Sequence, residues 1–139
     1  MTDSLFFTRH LLDQPRILMV DDDHLGTEVR AATMRLSGLC VDVANSGDEA
    51  VRKAASRHYD IFLVDYDMPK MNGLELSIEL RRHGHYEPII MLSGRLDLPD
   101  EPGAELLSEF ISKGQGPEAL LHTLTRLTSQ CRAVTTSQK

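Results

Sequence analysis

The chain has 139 residues, of which 41% are hydrophobic and 26% are charged, and its formal net charge is −6. This composition is typical of a globular domain and argues against wholesale disorder. The negative charge argues against direct binding of nucleic acid, because phosphate recognition depends on clustered lysine and arginine.

The domain limits follow from composition. Residues 1–14 are predicted to form an N-terminal extension, residues 15–130 a single domain and residues 131–139 a polar C-terminal tail. No apolar run approaches the roughly 18 residues of a membrane-spanning helix, so no membrane association is expected. Two cysteines are too few for a disulfide framework, which favours a reducing cytoplasm. Met1 and the polar tail favour a whole small protein.

Short apolar runs alternate with helical patterns along the chain. The predicted strands are 16–20, 40–44, 60–64, 88–92 and 109–112. Four apolar residues after the first strand recur at spacings that give one helical face: Leu25, Val29, Ala32 and Leu36. The next two helices open on capping-box patterns, Ser46 with Glu49 and Asn72 with Glu75, and the last helix opens at Pro117.

This alternation predicts an α/β fold in which a parallel sheet carries helices on both faces. The apolar runs 17–20 and 61–64 are typical of central strands that are buried on both sides. Between the fourth and fifth strands, Pro99, Pro102 and Gly103 predict at most a short or irregular helix.

Polar side chains follow four of the five predicted strands. These residues are Asp21, Asp22 and Asp23, then Asp65 and Asp67, then Ser93, and finally Lys113. In an open α/β sheet, ligands bind beyond the carboxyl ends of the strands. Clustered carboxylates repel one another unless a cation joins them, and Mg²⁺ prefers oxygen ligands. A lysine and a hydroxyl aimed at the same point suit a phosphoryl group, which an aspartate can accept as nucleophile.

With these residues, the sequence resembles the receiver domains of bacterial two-component response regulators, and is similar to the stand-alone chemotaxis regulator. The resemblance covers roughly residues 15 to 130. It rests on the acidic pair after the first strand, on "VDYDMPKMNGLEL" at 64–76, on Ser93-Gly94 and on "FISKG" at 110–114. It implies a doubly wound, flavodoxin-like sheet of five parallel strands in the order 2-1-3-4-5.

The resemblance also implies a role for each matching residue. Asp65 corresponds to the phosphoacceptor, and Ser93 and Lys113 to the residues that contact the phosphoryl group. Asp22 corresponds to a direct Mg²⁺ ligand and Asp21 to one that acts largely through metal-bound water. Asp67 corresponds to the residue whose backbone carbonyl binds the metal. Phe110 corresponds to the aromatic switch residue, which is more often tyrosine. Asp23 is set apart from its neighbours, because aspartate at that position is favoured as a helix N-cap.

The implied function is a phosphorylatable signalling switch in a phosphorelay. A histidine kinase or a histidine phosphotransfer protein would donate the phosphoryl group to Asp65, and slow hydrolysis would remove it. The chain would catalyse nothing else. Phosphorylation would change the surface formed by the segment after strand four, strand five and the last helix, and so control a protein partner that the sequence does not identify.

Two departures from the family pattern affect the expectations. Gly114 replaces the proline that usually follows the lysine through a cis bond in the family, and a non-proline cis bond costs about 3–4 kcal/mol. A trans bond with altered loop geometry is therefore one alternative, and the sequence does not decide between cis and trans. The side chain of Asp67 adds negative charge close to Asp65, and we expect it to alter the lifetime of the phosphoryl group.

Two other functions remain open at this stage. "FLVDYD" contains the Asp-x-Asp pattern of Mg²⁺-dependent phosphotransfer hydrolases of the haloacid-dehalogenase type. Pro69 and the lack of room for a cap domain argue against that function. A receiver-like binding module that is not phosphorylated is the other alternative, and Gly114 supports it.

Overall fold

The computed structural model describes residues 14–97 and 100–137, with side chains described as far as residue 129. Its elements, in chain order, are β1 (Arg16–Val20), α1 (His24–Leu36), β2 (Cys40–Ala44), α2 (Gly47–Ser56), β3 (Ile61–Asp65), α3 (Gly73–Arg82), β4 (Ile89–Ser93), β5 (Glu109–Ser112) and α4 (Pro117–Ser137). Two 3-10 turns, Ala104–Leu106 and Lys113–Gln115, flank β5. The predicted extension lies outside the described residues except for Gln14, and α4 continues through residues assigned to the polar tail.

The five strands form one parallel sheet in the order β2-β1-β3-β4-β5, which confirms the predicted doubly wound fold. Val20 pairs with Val64, and Ser93 pairs with Ser112. The carboxyl ends of β1, β3, β4 and β5 therefore lie side by side at one edge of the sheet. The polar residues that follow these strands in the sequence lie at that edge as well.

Two hydrophobic layers hold the helices against the sheet. On one face, Ile17 and Met19 of β1 pack with residues of α1 and α4. On the other face, Leu18 and Val20 pack with residues of α2 and α3. Because β1 and β3 are covered on both faces, their side chains are almost continuously apolar, as the sequence predicts for central strands.

The predicted caps explain where α2 and α3 begin. Asn72 accepts a hydrogen bond from the Glu75 N–H while the Glu75 carboxylate accepts one from the Asn72 N–H, which makes a complete capping box. Ser46 likewise accepts from the Glu49 N–H, but the Glu49 carboxylate accepts from Asn45, one residue before the cap. Both helices therefore start where the sequence predicts.

The apolar face of α1 does not pack on the sheet. The buried residues of this helix are Thr27, Ala31 and Met34. In the predicted stripe, Leu25 is 77% exposed, Val29 60% and Leu36 90%, and Ala32 is exposed as well. The spacing correctly indicates a helix, but a periodic pattern does not say whether an apolar face packs on its own sheet or faces outward. The consequence is a contiguous apolar strip on the surface.

Between β4 and β5 the described residues contain only the turn at Ala104–Leu106, as the prolines predict. Gly103 precedes this turn with a left-handed φ of 101°, which suits glycine. Within the part of the chain that the structure covers, no helix has the length and apolar character needed to cross a membrane.

Candidate functional site

The carboxyl edge of the sheet gathers three aspartates. Asp21 and Asp22 follow β1, and Asp65 is the last residue of β3. One carboxylate oxygen from each lies within 4.8 Å of the others. Asp21 and Asp65 are buried and Asp22 is exposed. Three oxygen donors at this spacing, one of them open to solvent, fit a hard divalent cation such as Mg²⁺.

Asp65 is only 3% exposed, yet it is poorly compensated. Lys113 Nζ lies 2.9 Å from its Oδ1 as an ion pair, but no donor among the described residues makes a directed hydrogen bond to that buried oxygen. Burial, followed by the charges of Asp21 and Asp67, raises the pKa of Asp65 to about 6, and Lys113 offsets only part of this. The carboxylate is therefore held in a state that an additional cation would relieve.

Asp21 is better compensated than Asp65. Its Oδ1 accepts a hydrogen bond of 3.0 Å from the Asp23 N–H, and its Oδ2 lies 3.1 Å from Arg30 Nη1 and 3.7 Å from Lys113 Nζ. Asp23 itself caps α1 by accepting from the Gly26 N–H, as predicted. The three consecutive aspartates thus have three different environments.

Arg30 is a site residue that the sequence analysis missed. It lies on α1 beside Thr27 and Ala31, on the side of the helix that faces the sheet. An arginine on the sheet-facing side of a helix needs a counter-charge. The position of Arg30 on that side is therefore the signal that could have identified it as a site residue. The apolar stripe faces outward, so its spacing gave no indication that Arg30 faces the acidic edge.

Ser93 and Asp67 come from two neighbouring strand ends, since Ser93 is the last residue of β4 and Asp67 follows β3 by two residues. Ser93 ends β4, is fully buried, and its Oγ accepts a hydrogen bond of 3.1 Å from the Arg95 N–H. Asp67 is exposed, and its charge contributes to the raised pKa of Asp65. Lys113 follows β5 and opens a 3-10 turn whose first N–H groups are capped by Ser112. Thus the hydroxyl and the ammonium predicted for the site both reach the carboxyl edge.

Phe110 packs in a small cluster beside the site. It is half-buried, pairs with Met91 across the sheet and contacts the cluster formed by Tyr66, Leu74 and Met91. The Tyr66 hydroxyl donates a 2.6 Å hydrogen bond to Glu101 Oε1, and the Arg95 guanidinium lies 4.9 Å from the centre of the Tyr66 ring. That hydrogen bond, followed by burial, raises the pKa of Tyr66. Sequence analysis did not single out this link, because 35 residues separate its two ends.

Two glycines shape the loops of the site. The N–H of Gly73 donates to the Tyr66 carbonyl, and a Cβ at Gly73 would lie 2.6 Å from the Asp65 carbonyl oxygen. Glycine therefore allows α3 to begin directly against the backbone of Asp65. Because the described residues contain no cis peptide bond, the bond before Gly114 is trans, which answers the question that the sequence left open.

Comparison with known proteins agrees with this geometry. The family described as response regulator receiver domain matches residues 17–125. The response regulator TrrA of Thermotoga maritima, solved in complex with Mg²⁺-BeF, superposes with a TM-score of 0.76 at 28% identity, over 82% of this chain and 99% of that one. The chemotaxis response regulator CheY4 of Vibrio cholerae gives a TM-score of 0.75 at 30% identity, over 82% of this chain and 98% of that one.

The curated relatives are longer proteins. The CpxR homolog of Haemophilus influenzae is 39% identical over 80 residues, which are 58% of this chain and 34% of that protein. The response regulator MprA of Mycobacterium leprae is 38% identical over 80 residues, or 58% of this chain and 35% of that protein. The matched segment thus spans about a third of these two relatives. With the family match over most of its length, the chain belongs to the response regulator receiver domains of two-component signalling systems.

Proposed function

We propose that this receiver domain is a phosphorylatable signalling switch in which Asp65 accepts a phosphoryl group from a phosphohistidine. One observation carries the proposal. Asp65 is a buried carboxylate at a strand end, 2.9 Å from Lys113 and within 4.8 Å of the carboxylates of Asp21 and Asp22. A carboxylate held in this way is a nucleophile with cations available for the incoming phosphoryl oxygens.

The acidic cluster suits Mg²⁺, as both the donor set and the buried Asp65 Oδ1 indicate, since among the described residues that oxygen has an ion pair with Lys113 but no hydrogen bond. Asp22 and Asp65 would hold the ion directly, Asp21 would act largely through metal-bound water, and Asp67 would contribute its backbone carbonyl. When bound, Mg²⁺ supplies positive charge that offsets the carboxylates and the phosphoryl oxygens. TrrA, which was solved with Mg²⁺-BeF, provides a precedent in the family.

In the transfer step, a carboxylate oxygen of Asp65 bonds to phosphorus while the bond between phosphorus and the donor histidine nitrogen breaks. The electron pair of the broken bond returns to the imidazole. Because the pKa of Asp65 is about 6, the carboxylate is mainly ionised at pH 7 and can attack. The ammonium of Lys113 and the hydroxyl of Ser93 would then contact phosphoryl oxygens. Slow attack by water on phosphorus would break its bond to the Asp65 oxygen, release inorganic phosphate and restore the carboxylate.

The output would begin at Ser93. Its Oγ now accepts a hydrogen bond from the Arg95 N–H, so a turn of the hydroxyl toward a phosphoryl group would release the start of the loop after β4. That loop carries Arg95 and Glu101, which contact Tyr66, and Tyr66 shares a cluster with Phe110. A rearrangement of Phe110 would alter the surface formed by this loop, β5 and α4, and so change binding of an unidentified downstream protein in the cytoplasm.

The phosphodonor partner we propose is a histidine kinase or a histidine phosphotransfer protein. TrrA has been solved in complex with the histidine kinase ThkA, and it resembles this chain with a TM-score of 0.75. The exposed strip formed by Leu25, Val29 and Leu36 lies on the helix that starts at the acidic edge. An apolar strip beside the phosphoacceptor suits a partner that must bring its phosphohistidine to Asp65.

The proposal is tested by incubating the protein with Mg²⁺ and acetyl phosphate, or with a phosphorylated histidine kinase, and measuring its intact mass. We expect the mass of one added phosphoryl group, its absence in Asp65→Asn, and its retention in Asp100→Asn, which replaces an exposed aspartate outside the site. Multiple turnover of phosphomonoesters would indicate the hydrolase instead. Failure of every donor to modify the wild-type chain would indicate an unphosphorylated binding module.

A further inference from the structure

Arg30 places a second positive charge at the acidic edge of the sheet. Its Nη1 lies 3.1 Å from Asp21 Oδ2, the same oxygen that Lys113 Nζ approaches to 3.7 Å. The Arg30 side chain is 30% exposed, whereas the side chain of Asp21 is 3% exposed. A buried carboxylate requires compensation, and Arg30 is the nearer of the two cations that provide it.

This pairing differs in kind from that of Lys113 with Asp65. Arginine remains charged at every pH at which proteins are studied, and its guanidinium makes directional contacts with carboxylates. The Asp23 N–H holds the other oxygen of Asp21 at 3.0 Å. Both oxygens of Asp21 are therefore engaged within the chain, and any cation that uses Asp21 must share it with Arg30.

We propose that Arg30 is a positioning residue that sets the Mg²⁺ affinity of the acidic site. By neutralising Asp21, it makes Mg²⁺ bind more weakly than the three carboxylates would bind it without Arg30. The inference rests on the proposed function, since it takes Asp21, Asp22 and Asp65 to be the metal site. Arg30 stabilises the protein at low Mg²⁺ concentration and raises the concentration at which the site fills.

The expected size of the effect follows from the charge arrangement. Arg30 contacts a carboxylate whose oxygens lie within 4.8 Å of the other two, so its charge is only a few ångströms from the centre of the cluster. Solvent around Asp22 weakens this repulsion. A net effect of about tenfold on the dissociation constant corresponds to a single charge acting through a high effective dielectric.

The experiment measures Mg²⁺ binding directly, with no phosphodonor present. Mg²⁺ is titrated by calorimetry into metal-free wild type, Arg30→Gln, Arg30→Lys and Arg52→Gln. Arg52 is an exposed arginine of α2, so its variant loses the same charge outside the site. We expect Arg30→Gln to tighten Mg²⁺ binding about tenfold, Arg30→Lys to return the dissociation constant toward that of the wild type, and Arg52→Gln to leave it unchanged.

Thermal unfolding provides a second measurement. A ligand that binds only the folded state raises its stability by an amount that grows with the ratio of ligand concentration to dissociation constant. At one subsaturating Mg²⁺ concentration, the increase in Tm should therefore be larger for Arg30→Gln than for the wild type. Arg30→Met, which keeps an apolar stem, repeats both measurements if the glutamine variant does not fold.

The outcomes separate this inference from the proposed function. If the wild-type protein binds no Mg²⁺, the metal site of the proposed function is wrong, and the inference about Arg30 fails with it. If the wild type binds Mg²⁺ but loss of the Arg30 charge leaves the affinity unchanged or weakens it, Arg30 has a purely structural role. That result would overturn the inference while leaving the proposed function intact.

Discussion

Asp42 and Asp65 lie on strands of the same sheet, yet their surroundings drive their pKa values in opposite directions. Burial alone would raise the pKa of Asp42, but a hydrogen bond from Tyr59 and the charges of Arg57 and Arg16 together lower it. For Asp65 burial dominates, and the pKa rises to about 6. From the sequence alone, both residues are aspartates within or beside a predicted β-strand.

The difference lies in the number of partners. One oxygen of Asp42, Oδ2, accepts a 2.7 Å hydrogen bond from the Tyr59 hydroxyl, lies 3.1 Å from Arg57 and 3.9 Å from Arg16. Among the residues that the structure describes, Asp65 Oδ1 has only the ammonium of Lys113 as a partner, while Asp21 adds repulsion. A carboxylate with complete partners within the fold is a structural element. One left incomplete retains the capacity to take a cation or a phosphoryl group.

The largest expected effect comes from removing Asp42 from the cluster that it forms with Tyr59, Arg57 and Arg16. Replacing Asp42 with alanine leaves the Tyr59 hydroxyl and Arg57 without their hydrogen-bond acceptor and Arg16 without its ion-pair partner. We expect Asp42→Ala to lower the free energy of unfolding by about 2–3 kcal/mol at pH 7, measured by urea denaturation. Asp100→Ala, at an exposed position, is the control and should change it by less than about 0.5 kcal/mol. An Asp42 variant as stable as this control would show that the cluster contributes little.

Neutralising Asp65 should raise the free energy of unfolding, whereas Asp42→Ala should lower it. Asn cannot be ionised, so Asp65→Asn removes the unfavourable burial of a charge and its repulsion by Asp21 and Asp67. We expect the free energy of unfolding at pH 7.5, without Mg²⁺, to increase on the order of 1–3 kcal/mol. The same urea denaturation measures it. A decrease would mean that the ion pair with Lys113 outweighs the burial of the carboxylate.

The pH dependence of stability tests the contrast between Asp42 and Asp65 further. The change in the free energy of unfolding with pH should be at most as large as the effect of Asp65→Asn. The folded-state pKa of Asp65, about 6, lies above the ordinary aspartate value of 3.8, so the folded protein binds this proton more tightly than the unfolded chain does. The associated stability is complete below pH 3.8 and is lost as the pH rises through about 6. Asp42, whose pKa is lowered, contributes stability above pH 3.8 and loses it at still lower pH.

Accordingly, the stability difference between Asp65→Asn and wild type should be smallest below pH 3.8 and should grow as the pH rises from there through about 6. Subtracting the variant removes the pH-dependent contributions that the two proteins share. A difference that does not vary with pH would contradict the raised pKa of Asp65. Urea denaturation at half-unit steps of pH provides the measurement.

The sequence predicts the sheet well because each strand is a local pattern. All five strands lie within one residue of their predicted limits, and β3 and β4 are shifted by a single residue so that Asp65 and Ser93 belong to the strands. The convergence of polar residues at the carboxyl edge follows from parallel topology, and the carboxylates of Asp21, Asp22 and Asp65 do meet there. Whether they bind Mg²⁺ and accept a phosphoryl group stays a proposal.

What the sequence did not reveal depends on contacts between distant residues. The inner face of α1 is formed by Thr27, Ala31 and Met34, a set less apolar than the exposed stripe. Burial of Thr27 is tolerated because its hydroxyl donates to the Asp23 carbonyl within the helix. For the same reason the sequence did not indicate the Arg30 contact with Asp21. No local pattern encodes which of two helical faces meets the sheet.

The smallest expected effect comes from Tyr59→Phe. This substitution removes the hydroxyl that donates to Asp42, so that Asp42, like Asp65, has fewer partners. Tyr59 is 3% exposed, and burial together with its hydrogen bond to Asp42 raises its pKa to about 12, so it donates across the whole working range of pH. In Tyr59→Phe the ring packing is retained and the donor is lost. We expect the free energy of unfolding to fall by about 1 kcal/mol and the pKa of Asp42, followed by NMR titration of its carboxyl carbon, to rise. An unchanged pKa would show that the charges of Arg57 and Arg16 suffice, in which case the contrast with Asp65 is set by the number of cations and not by hydrogen bonding.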